Sequence, residues 1–172
     1  INSALLAAFV LLALLFFYQL AFTDWILARG DTFAYFYPYW EARDIALANG
    51  NLPLWTPNLF MGAPLLANSQ LGTFYPPNWL TIPFDAPDAI KLHILLHTAW
   101  AGLGTALLAR IVTRVGWLSA LIAGGLFGFG GHIGAHVEQI NQLQGLSWLP
   151  WLFLLFHLTQ KCPTRYLPLM AI

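Results

Sequence analysis

Charge is what this sequence has least of. Only seven Lys and Arg and seven Asp and Glu are spread over 172 residues, 8% of the chain against 59% hydrophobic residues. Soluble domains carry about 25% charge, so a water-coated surface of this size is excluded and a lipid-facing one is implied. The net charge of zero gives no basis for nucleic-acid binding. One cysteine, Cys162, excludes an internal disulfide framework. Nucleotide-binding glycine loops and a Ser-His-Asp order are also missing, and none of Asn49, Asn58 or Asn68 opens a glycosylation sequon.

What is present is a series of apolar runs. Residues 4–22 form the first expected span, uncharged and long enough for a bilayer core of about 30 Å. It is too long and uniform for a signal-peptide core, and no small-residue cleavage site follows it. Further spans are expected at about 89–113, 117–131 and 146–159, with another starting at 166–172. Asp88 reads as an N-cap or first-turn acid of the second, and Arg110 and Arg114 complement its C-terminus. Ala120, Gly124 and Gly128 recur every fourth residue in the third, with Gly130 and Gly134 continuing the series. That small-residue stripe lets helix backbones approach closely, and the glycines near 130 also allow a break. The fourth span is expected to enter at Gly145 and bend near Pro150. Both ends of the sequence read as cut, so a fragment of a longer protein is expected.

Residues 24–87 differ. This stretch is rich in Pro, Asn, Trp and Tyr, and irregular backbone of this kind cannot leave its N–H and C=O groups unpaired in lipid. It is expected outside the membrane, with a short helix over Tyr39–Asn49 started by Pro38 and stopped by Gly50. Trp40, Ile45, Ala46 and Leu47 of that helix can face the bilayer, while Glu41, Arg43 and Asp44 read as a solvated face. With this loop extracytoplasmic, Arg110, Arg114, Lys161 and Arg165 fall on the cytoplasmic side, as the positive-inside rule requires, and all seven acids fall outside. The class is all-α, a polytopic transmembrane bundle with a long external first loop containing short juxtamembrane helices.

The loop carries an ordered set of motifs: Gly30-Asp31-Thr32, then Gly50 with Leu52-Pro53-Leu54-Trp55 and Pro57, then Gly62 with Pro64, then Ala67-Asn68 with Gln70, then Phe74-Tyr75-Pro76-Pro77-Asn78-Trp79. In this order they resemble the N-terminal part of the YfhO-like bacterial membrane proteins, of the glycosyltransferase C-type (GT-C) fold. The resemblance implies transfer of a sugar from a polyprenyl-phosphate donor to a cell-envelope glycan, lipid or protein acceptor outside the cytoplasmic membrane. No cofactor is expected, with a divalent metal as the one alternative. The resemblance puts the catalytic base at an acid in the first external loop, here Asp31. The chemistry needs such a group: a carboxylate must take the acceptor hydroxyl proton, and cations or donors must stabilise the leaving lipid phosphate.

Arg29, Tyr35, Trp55, Asn68, Gln70 and Tyr75 are the expected substrate contacts in the loop. His132, His136 and Glu138 form a second cluster that suits donor phosphate or, less well, a divalent metal; an ordinary polar interfacial segment reads the same way. Asp31 by itself also reads as a loop carboxylate capping a turn. His93 and His97 read as helix-packing histidines. A non-catalytic transporter or scaffold is the alternative, but the spans lack the charged mid-membrane residues a transport path needs.

Overall fold

A computed structural model describes residues 3–166. The described residues are mostly helical, with one two-stranded sheet among them. The fifth expected span, at 166–172, lies outside the described residues but for Tyr166. The chain divides into two compact units.

One unit takes in the first 18 residues, Leu95–Val137 and the chain from Gln142 onward. It opens with α1 (Ser3–Phe16), and after an irregular Phe17 a short α2 (Tyr18–Phe22) follows, so the first expected span is a helix broken near its end. Helix α5 (Ala86–Leu108) runs directly into a π-helical turn at Ala109–Thr113, and together they make one apolar run of 28 residues. Arg114 ends it in the left-handed region, φ 57°. Asp88 lies in its first turn, as expected, and pairs with Lys91 at 3.0 Å.

Helix α6 (Trp117–Phe129) is followed, across Gly130, by α7 (Gly131–Ala135). Gly130 is extended, at φ −73° and ψ 168°, so the break permitted by the glycines is real. The close-packing face ends there too: Ala120, Gly124 and Gly128 are buried, while nothing lies within 4 Å of a Cβ placed on Gly134. A Cβ on Gly124 would strike the Gly102 carbonyl and the Phe9 ring, and one on Gly128 would lie 2.8 Å from the Thr98 carbonyl. The two backbones therefore meet through bare glycine, as the spacing requires.

Helix α8 (Ile140–Lys161) starts six residues before the expected span and continues without interruption past Gly145 and Pro150. Burial of Ile140 and Leu143 explains the earlier start; their packing outweighs the polar Asn141, Gln142 and Gln144 around them. A last short helix, α9 (Pro163–Tyr166), follows. The core of this unit joins Phe9, Ala13, Leu103, Ala106, Trp151 and Leu154. Trp151 stacks on Trp100 at 4.0 Å and donates Nε1–H to its carbonyl at 3.0 Å. Among the described residues two stretches, Ala86–Thr113 and Trp117–Ala135, are by length and composition long and apolar enough to cross a bilayer.

The other unit is Gln19–Ile94 with Glu138–Asn141. A π-helical turn, Thr32–Phe36, leads into α3 (Tyr37–Ala48), two residues ahead of the expected start, with Pro38 in its first turn. Strands β1 (Trp55–Thr56) and β2 (Ala63–Pro64) pair antiparallel, and a short α4 (Pro76–Trp79) follows.

Helix α3 corrects the expected solvated face. Arg43 is 0% exposed. Its Nε and Nη2 donate to the two Asp44 carboxylate oxygens at 2.7 and 3.1 Å, Nη1 donates to the Leu71 carbonyl at 2.5 Å, and the guanidinium lies 4.2 Å from the Trp40 ring centre. Trp40 is likewise buried and does not face outward, while Ile45 does. A guanidinium buried this deeply persists because its charge and its donors are met together.

Candidate functional site

The first loop brings part of the expected site together around Gly30, whose φ of +49° is the left-handed conformation glycine favours. This turn carries Arg29 and Asp31 out on either side. Asp31 is exposed and makes no capping hydrogen bond to the turn that follows, which removes the capping reading of that residue. Arg29 is paired: its Nε lies 3.2 Å from Glu138 Oε2, with the Arg29 side chain 76% exposed and Glu138 26%. Thr32 Oγ1 donates to the Glu138 carbonyl at 2.9 Å. A Cβ on residue 30 would stand 3.0 Å from Glu138 Oε2. Glycine at 30 is thus favoured by its backbone, and a Cβ there would press on the carboxylate that covers it.

Tyr35 sits on the π-helical turn that follows, Thr32–Phe36. Burial raises its phenol above the ordinary value of 10.0; Asn68, donating to its oxygen through Nδ2, works against that, and the nearby Tyr39 and Asp31 add to it. Tyr35 and Tyr39 stack at 4.5 Å. Asn68 also accepts from the Gln70 backbone N–H at 3.1 Å, so it holds a turn and a tyrosine at once. Tyr37 donates to the Leu27 carbonyl at 3.0 Å, and burial raises its phenol too. Arg29, Asp31, Tyr35, Asn68 and Glu138 therefore belong to one unit, with Asp31 close enough to Tyr35 to act on its charge.

No protein-family model, curated protein or solved structure matches this chain. Its function is therefore argued from the site.

The remaining expected contacts fall elsewhere. Trp55 is exposed on β1, packed over Gly62, where a Cβ would approach its ring to 2.5 Å. Gln70 is exposed and Tyr75 half-buried. His132 and His136 belong to the other unit; their rings are 4.8 Å apart, and His136 Nδ1 donates to the His132 carbonyl at 2.7 Å. A carbonyl oxygen can only accept, so Nδ1 carries a proton in that bond. Glu138, of the loop unit, pairs with Arg29. Among the described residues no three His, Cys, Asp or Glu side chains come together as a metal site needs. His93 is buried, 3.3 Å from Thr81 Oγ1 and edge-on to Trp40 at 5.0 Å, a packing histidine as expected; His97 is buried as well.

Several residues of the sequence motifs turn out to hold the loop. Asn78 Nδ2 donates to the Gly72 carbonyl at 2.9 Å, and Trp79 Nε1 to the Thr73 carbonyl at 2.9 Å. Sequence reasoning missed the Arg43–Asp44 pair that ties α3 to Leu71. Its one signal was a cation three residues past an aromatic pair, Tyr39-Trp40, which a surface helix shares.

Proposed function

We propose that this chain is part of a polytopic GT-C-type glycosyltransferase of a bacterial cytoplasmic membrane, related to the YfhO-like proteins. It moves a sugar from a polyprenyl-phosphate donor to a cell-envelope acceptor on the outer side, where the loop 24–87 lies. Asp31 is the general base: its carboxylate takes the acceptor hydroxyl proton as that oxygen attacks the anomeric carbon, and the sugar–phosphate bond breaks with the electron pair leaving on the lipid phosphate. Arg29, oriented through Nε by Glu138, has its Nη donors to offer that phosphate.

The observation that carries this reading is the turn at Gly30, which sets an exposed, uncapped carboxylate two residues from an exposed guanidinium already oriented by a second carboxylate. A second feature supports work beside lipid. Residues 45–84 contain no charged side chain, yet Leu52, Leu54, Trp55, Phe60, Met61 and Leu80 are exposed, the composition of a surface that meets the apolar edge of a bilayer.

The scaffold reading draws on one fact: the Arg29–Glu138 pair is also what a purely structural clasp would look like. Sugar transfer in membranes bearing the protein, supplied with polyprenyl-phosphate sugars, separates the two. Loss of transfer in Asp31→Asn with normal insertion supports the enzyme and the base. Undiminished transfer moves the base to another acid, and no transfer by either protein favours the scaffold.

A further inference from the structure

Charge is divided sharply between the two units. All seven acids (Asp24, Asp31, Glu41, Asp44, Asp85, Asp88 and Glu138) lie in the loop unit, whereas the helical unit holds Arg110, Arg114, Lys161 and Arg165 and no acid. Within that helical unit a crevice of about 510 Å³ opens between the end of α5, with its π-helical turn, and the C-terminal half of α8. This is a volume typical of ligand sites. Leu108, Val112, Phe153 and Phe156 make it apolar along its length, and His157 and Gln160 supply polar groups.

Two details point to an amphiphile. His157 Nε2 is buried and has no hydrogen-bond partner, a state that costs stability unless a ligand group meets it. Thr113 and Gln160, the last lining residues of their helices, are each followed directly by an exposed cation, Arg114 and Lys161. The crevice thus offers an apolar trough that ends next to positive charge uncompensated by any acid of its unit.

We propose that this crevice binds one anionic bilayer phospholipid, its acyl chain along Leu108, Val112, Phe153 and Phe156 and its headgroup beside Arg114 and Lys161. Basic pockets between membrane helices hold anionic headgroups in this way. The site rests on the membrane-spanning reading and is independent of sugar transfer.

The test is retention of lipid by the purified chain from micelles holding equal phosphatidylglycerol and phosphatidylcholine, counted by native mass spectrometry. Wild type is expected to keep phosphatidylglycerol over phosphatidylcholine by about tenfold. Arg114→Gln with Lys161→Gln, which leaves the crevice intact, brings the ratio to about one, and Val112→Trp, which fills it, removes both lipids. Equal retention by wild type, or a preference untouched by the two charge changes, overturns the proposal, and the charge variant alone decides if Val112→Trp does not fold. Resistance of the chain to alkaline carbonate extraction separates the two levels. An extracted chain refutes the spanning reading and this site with it, while an inserted chain without lipid preference refutes the site alone.

Discussion

The Glu138 carboxylate lies directly over Gly30, with Oε2 3.0 Å from the place a Cβ would take. Two residues 108 apart in sequence are thereby held together at the turn that presents Arg29 and Asp31. Gly30→Ala would meet both the carboxylate and the left-handed backbone at φ +49°, at a cost of about 1–2 kcal/mol. We expect a lower thermal midpoint in detergent by circular dichroism. We also expect Arg29 to be freed, read as faster modification by a guanidine-directed reagent. An unchanged midpoint and modification rate would show that the turn does not depend on glycine.

Arg43 and Asp44 make a sharper prediction. Removing one member of a fully buried pair strands the other's charge and costs about 3–5 kcal/mol. Arg43→Met and Asp44→Leu should each destabilise strongly, and the double variant should recover much of the loss because no charge is left unpaired. Denaturation midpoints for the four proteins decide this; additive losses would mean that the two side chains act independently.

Glycines of the helices should divide by what surrounds them. Gly124→Ala drives a methyl into the Gly102 carbonyl and the Phe9 ring, and overpacking of this kind costs about 1–3 kcal/mol. Gly145 lies inside α8 with open space around its Cβ position, so Gly145→Ala should stabilise by about 0.5–1 kcal/mol. Opposite shifts in thermal midpoint are expected, and equal ones would contradict the packing at Gly102.

Alkaline pH should weaken the loop unit through Tyr35. Its phenol is raised in the folded state, chiefly by burial, so the fold retains the proton longer than the unfolded chain does. This contribution is fully present below the unfolded value of 10.0 and is lost as pH rises through the higher folded value. Tyr35→Phe removes the titrating group and should flatten that part of the stability profile. Tyrosine absorbance recorded against pH provides the check, and a wild-type profile as flat as the variant's would count against the raised phenol.

Much of the helical unit was legible in advance. Long apolar runs predict helices at about 89–113 and 117–131, because backbone in an apolar setting must satisfy its hydrogen bonds within its own segment, and the four-residue spacing of small side chains marks the face of α6 that packs. Boundaries were less legible. The start of α8 at Ile140 depends on a core that buries Ile140 and Leu143, and Phe17 interrupts the first helix without a proline or glycine to announce it.

In the loop, the role of charge could not be read locally. Arg43 and Asp44 look solvent-bound beside Glu41, yet their surroundings are supplied by Leu71 and Trp40. Glu138 looked like the partner of His132 and His136 because it is near them in sequence, and it pairs with Arg29 instead.

Sequence by itself determined the scarcity of charge and the apolar helices, since these depend only on which residues follow one another. Tertiary structure decided which charges are buried, which carboxylate holds Arg29 and where a crevice opens between α5 and α8. Those outcomes turn on approaches of a few ångströms between residues distant in sequence, and a charge changes its meaning with the dielectric and the partners it meets there.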